Sequence, residues 1–156
     1  MKPQRQLIKH NPESGQYGDC TRTCVAALLN LDADKVPHFG EGGVSGDVFW
    51  ERVDTYLSTH GLSAISIPFS MDVGDLLQVL KSQAPNFYCL LGVGSPNADH
   101  SIIVVGDQLV CDPAGYDDLS RFKRDSENVV WVTFIVPSFL KASTNNSLPC
   151  SEQNKP

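Results

Sequence analysis

"HSIIVVGDQLVCD", residues 100–112, is the stretch that decides how this chain folds. Two runs rich in β-branched residues flank Gly106-Asp107, a dipeptide that favours the tight turn of a β-hairpin. His100 then begins one strand and Asp112 ends the next. A shift of one residue in pairing register moves a side chain to the other face of the sheet. With a strict two-residue turn, Val105 faces Gln108 and His100 faces Pro113, which leaves His100 and Asp112 on opposite faces. Bringing the two together requires an odd-length loop or a β-bulge, and one of these is expected.

On either side of the hairpin, "NFYCLLGV" (86–93) and "VVWVTFIV" (129–136) read as strands, and "LSAISIPF" (62–69) reads as a short one earlier. Upstream the period changes to that of a helix. Cys24, Ala27, Leu28 and Leu31 form one apolar stripe of a helix running from about Cys20 to Asn30, with Asp19 as its expected N-cap. A second helix over 47–58 carries Phe49, Val53, Tyr56 and Leu57, and Gly61 lies just past its end. A third over 72–81 carries Val73, Leu76, Leu77 and Leu80. "GEGGVSG" (40–46) is expected to be a flexible loop and a mobile lid. Helices first and antiparallel strands second predict an α+β fold with the helices on one face of the sheet. A single domain is expected over 1–140, followed by a polar, flexible tail over 141–156.

Composition excludes some functions. The net charge is −6 and there is no Lys/Arg run, so nucleic acid is not an expected partner. No apolar run is long enough to span a membrane. The first residues, "MKPQRQLIKHNPES", lack an apolar signal core. The five cysteines are an odd number, which suits free thiols in a reducing compartment, and a cytoplasmic location is expected.

The thiol of interest is Cys20, in "GQYGDCTRTCVAALLNL" (15–31). A thiolate is the nucleophile, and a helix N-terminus and a nearby imidazole both favour it. Cys20 opens a helix, His100 supplies the imidazole, and Asp112 can hold that imidazole in one orientation. An acyl-transfer site also needs donors for an oxyanion. The Cys20 backbone N–H is one, and Gln16 is the first choice for a side-chain donor, with Asn11 second. Ser95 to Asn97 are expected to form a rim loop next to the substrate. Cys24, Cys89 and Cys111 read as packing residues, Cys150 as exposed, and His10, His38 and His60 as structural or exposed. A zinc site would need a second close pair of ligands beside Cys20 and Cys24, and a thioredoxin-like site would need C-x-x-C; neither is present. No metal and no cofactor are expected.

"GDCTRTCVAALLNL…VPHF" followed by "GVGSPNADHSIIVVGDQLVCDP" resembles the papain-like cysteine hydrolase pattern. It is most similar to small phage and bacterial proteins of that superfamily, near the C39-like branch. The resemblance implies a papain-like fold, with a Cys-bearing helix packed on a small antiparallel sheet that carries His and Asp. It implies a catalytic triad of Cys20, His100 and Asp112. C39-like peptidases usually carry an oxyanion glutamine six residues before the cysteine; here that position is Ser14. The implied activity is hydrolysis or acyl transfer at an amide-type carbonyl, on a narrow protein or peptide substrate. The alternative reading is a non-catalytic module on the same fold that binds a protein partner.

Overall fold

The computed structural model describes residues 1–96 and 98–140. The expected tail, with Cys150, and the expected rim residue Asn97 lie outside the described residues. The helices form where the apolar period places them: α1 over Cys20–Leu28, α2 over Gly46–Ser58 and α3 over Val73–Gln83. Gly61 ends the turn after α2 at φ +69°, a conformation that costs glycine little, and the chain enters β1 (Leu62–Phe69) directly. Four more strands follow: β2 (Tyr88–Gly94), β3 (Asp99–Val105), β4 (Gln108–Cys111) and β5 (Val130–Pro137).

The strands make one five-stranded antiparallel sheet in the order β1-β5-β2-β3-β4. The last strand in the chain is thus the second in the sheet. The fold is α+β, as expected, and α1 packs on β3. One expectation fails: the helices do not share one face. Leu90 of β2 and Ile103 of β3 pack with Cys24 to Ala27 of α1 and with Val53 and Leu57 of α2. Their neighbours Leu91, Ile102 and Val132 point the other way, onto Val73, Leu76, Leu77 and Leu80 of α3. Strand alternation supplies the reason, because β2, β3 and β5 are apolar on both sides and each side must be covered.

Packing this close is sensitive to lost volume. Leu91 lies in the middle strand of the sheet, fully buried under α3. Leu91→Ala is expected to lower stability by about 2–5 kcal/mol, read as a lower urea midpoint with an unchanged slope.

Candidate active site

The hairpin bulges. β4 pairs with β3 at Val105↔Gln108 and Val104↔Leu109, and then at Ile103↔Cys111. Val110 is skipped. The turn itself keeps the two-residue Gly106-Asp107 form, with Gly106 at φ +56° and Asp107 tied to Lys81 at 2.8 Å. Continuing the shifted register sets Asp112 opposite Ile102 and so on the face of His100. The required irregularity is present, and it is a bulge.

Its result is a 2.7 Å hydrogen bond between His100 Nε2 and Asp112 Oδ1. The carboxylate is fixed from behind, since Oδ1 also accepts from the Ala114 N–H at 2.7 Å and Oδ2 from the Tyr116 N–H at 3.0 Å. The imidazole stacks on Phe122 with the ring planes 18° apart. Burial opposes the charge on Asp112, but the His100 bond and the two N–H groups prevail and hold its carboxyl below the ordinary range.

Cys20 is the first residue of α1, so its N–H has no partner within the helix. Strand β3 anchors this end of α1. Thr21 Oγ1 and Ser101 Oγ are 2.8 Å apart, and Cys24 Sγ donates to the Ser101 carbonyl at 3.4 Å. These contacts set the Cys20 thiol beside His100, close enough for the imidazole to act on its ionisation. With Nε2 taken by Asp112, Nδ1 is the ring nitrogen not engaged by the carboxylate. Burial raises the Cys20 pKa, but the His100 hydrogen bond and charge, with further help from Ser101, bring it below the ordinary thiol value. Burial likewise disfavours the His100 charge, but the bonds to Asp112 and Cys20 dominate and push its pKa up to about 9. Each group therefore favours the charged form of the other, thiolate on Cys20 and imidazolium on His100. The other thiols differ. Cys24 is fully buried, and burial pushes it well above the ordinary value; burial pushes Cys89 up to about 11.

Asp19 occupies the N-cap position but does not cap α1 with its side chain. Its carboxylate is fully buried and accepts instead from the N–H groups of Ile8 at 2.9 Å and Leu7 at 3.4 Å, with Arg22 Nε 3.5 Å away. Its own N–H returns a bond to the Ile8 carbonyl at 3.2 Å. The N-terminal segment is thereby docked beside the nucleophile. A bond from the Gln6 N–H to the Pro113 carbonyl, 3.0 Å, ties the same segment to the Asp112 side of the site.

Cys20 and His100 open into a groove of about 1320 Å³. Gln6 lines it; Gln16 and Asn11 do not. Those two are exposed and pair with one another across a small turn, Asn11 N–H to Gln16 O at 2.7 Å and Gln16 N–H to Asn11 O at 3.0 Å. Neither residue lines the groove, because the backbone of the turn that precedes the cysteine closes on itself. Gln6 donates through Nε2 to the Ile8 carbonyl at 3.1 Å, and its Oε1 is buried with no hydrogen-bond partner among the described residues. No spacing signal in the sequence marks Gln6, which reaches the site because Asp19 and the Pro113 carbonyl dock the N-terminal segment. Ser95 lines the groove, but its hydroxyl is spent on the Ala98 carbonyl at 2.7 Å, closing its own loop.

Gly40 to Gly46 forms part of the groove wall. Its start is held by Arg52 and its middle lies against Tyr17. Arg52 donates to the Phe39 and Glu41 carbonyls, both at 3.0 Å, and the Tyr17 ring sits where a Gly43 side chain would be, 2.4 Å from an added Cβ. His38 is structural: its Nε2 bonds the Gly18 carbonyl at 3.1 Å.

No protein-family model, curated protein or solved structure matches this chain.

Two outcomes are expected. Iodoacetamide should modify Cys20 at neutral pH, where Cys24 and Cys89 stay protonated and shielded, with mass spectrometry locating the adduct; His100→Ala should move the Cys20 profile up toward that of an ordinary thiol. Deleting Val110 should restore the regular ladder and turn Asp112 away from His100. In a variant still folded by circular dichroism, Cys20 alkylation at pH 7 should then slow by about tenfold.

Proposed function

We propose that this chain is a papain-like cysteine hydrolase or acyltransferase that acts on an amide-type bond. The observation that carries the reading is the connected series Cys20, His100, Asp112, with a lowered thiol pKa at one end and a backbone-clamped carboxylate at the other. A buried packing cysteine needs neither partner, and Cys24 one turn away has neither.

The Cys20 thiolate attacks the carbonyl carbon, forming the C–S bond while the carbonyl π pair moves onto oxygen. The Cys20 backbone N–H and the second N–H of Gln6 Nε2 are the donors for that oxyanion. The oxyanion then collapses, the C–N bond breaks, and the His100 imidazolium gives its proton to the departing amine. Water, or another acceptor, attacks the resulting thioester with His100 taking its proton, and the thiolate is restored. Asp112 holds the imidazole tautomer and stabilises its charge throughout. The substrate class is a peptide, an isopeptide or a glutamine carboxamide.

Turnover needs the thiolate and the imidazolium together. The rate should therefore rise as pH passes the lowered Cys20 pKa and fall as His100 loses its proton near about 9. The test is a panel of fluorogenic peptide amides and thioesters. Cys20→Ala should abolish turnover and His100→Ala should reduce it by about a hundredfold or more. Asp112→Asn removes the charge that raises the imidazole pKa, so its alkaline limb should move below about 9. If a protein partner is bound or altered equally well by the Cys20→Ala chain, the non-catalytic binding module replaces this reading.

A further inference from the structure

The groove extends well past Cys20, and its charges are sorted by wall. Asp47 and Glu51 of α2, one helical turn apart, line it together with Glu127 from the segment before β5. None of these three carboxylates holds a hydrogen bond or ion pair within the described residues, although the chain uses most of its other acids structurally. Asp19, Asp99, Asp112 and Asp125 each accept from backbone N–H groups. The N-terminal segment brings the opposite sign to the same groove through Arg5 and Lys9. Neither of those side chains is paired with a carboxylate among the described residues; Arg5 has only a long contact, 3.5 Å, to the Asp112 carbonyl.

The floor between these walls is open for a steric reason. On the α1 side of the sheet, Ser101, Gly92 and Trp131 lie in one row across β3, β2 and β5. Gly92 has no side chain, and an added Cβ there would come within 3.1 Å of Trp131. The row is thus a trough with an indole along one side, running away from the Thr21–Ser101 contact. An extended chain fits a trough of this kind, with its side chains reaching alternate walls. A volume of about 1320 Å³ also exceeds the usual 300–1,000 Å³ of a small-molecule pocket.

We propose that the groove takes an extended polypeptide of mixed charge. A lysine or arginine side chain is received by Asp47, Glu51 and Glu127, and an acidic side chain on the other side of the reactive residue is received by Arg5 and Lys9. The proposal names the substrate class for the hydrolase reading above and rests on it for the chemistry, but binding itself does not need the thiol. Three unpaired carboxylates around one groove attract a cation and repel an acidic segment, so the charge pattern sets partner choice more than total affinity.

The experiment uses the full chain carrying Cys20→Ala and fluorescein-labelled nine-residue peptides, read by fluorescence anisotropy. The peptides have basic residues on one side and acidic on the other, in both orders, with all-basic, all-acidic and neutral versions as controls. One mixed peptide should bind about tenfold more tightly than the neutral one and more tightly than either single-sign peptide, and the advantage should shrink with added salt. Glu51→Lys, an exposed change away from the core, should remove most of that advantage while leaving the neutral peptide unaffected. Equal binding of mixed and neutral peptides, or no binding by any of them, overturns the proposal. The hydrolase reading fails separately: selective peptide binding together with an unreactive Cys20 in the unaltered chain would leave this groove a recognition surface without catalysis.

Discussion

Val110 in β4 has no partner in β3, and the chemistry of the site depends on that omission. A regular ladder would be the lower-energy arrangement for the strands alone. The bulge gives up one step of pairing, and in exchange Asp112 turns to the side of His100. From there the consequences run in series. The carboxylate is caught by two N–H groups of the following turn, and the imidazole is held against Phe122 with Cys20 near enough for each to shift the other's ionisation. The strongly apolar flanks of β3 keep the bulge where it is. Ile102 and Val104 are buried against α3 and Ile103 against α1, so β3 cannot slip to relieve the irregularity.

A second carboxylate shapes the site without touching the chemistry. Asp19 adjoins the nucleophile in sequence and is fully buried, a costly position for a charge. Two backbone N–H groups and Arg22 offset that cost, and the result is mechanical: residues 6–8 are held along the start of α1. The N-terminal segment thus contributes a wall, two cationic side chains and the Gln6 amide. Arg22 donates in turn to the Ala33 carbonyl at 2.8 Å, which extends the same brace to the loop after α1.

Much of this was legible in the sequence where local periodicity and local chemistry agree. The three helices and the strands Leu62–Phe69 and Val130–Pro137 form within a few residues of where their apolar patterns place them. His100 and Asp112 could be paired by their chemistry, against the parity of a strict hairpin, on the condition that the hairpin be irregular. Three features were not legible, each because it depends on contacts distant in the chain. The insertion of β5 between β1 and β2 leaves no local trace. The placement of α3 opposite α1 and α2 follows from strands apolar on both sides, whose runs are too short to separate from half-buried ones. Gln6 stands fourteen residues before the cysteine, a separation read directly from the chain, and a buried aspartate used as a clamp, with a backbone bond to Pro113, brings it to the groove. The expected choice, Gln16, obeyed proximity in sequence but sits in a backbone-closed turn outside the groove lining.

The position of β5 has a consequence for how the molecule comes into being on the ribosome. The segments that carry His100 and Asp112 pair with near neighbours and can form while synthesis continues. The connection between β1 and β2 cannot, because the strand that joins them begins at Val130. Until β5 emerges, β1 and the β2–β4 meander have facing edges with nothing between them, and α2 rests on a strand not yet attached to the rest of the sheet. An emerging chain can therefore set α1 against β3, nucleophile beside base, while β1 and α2 are still detached from them. Its groove, with Trp131 along one side, is completed in one late step, by the same strand that closes the sheet.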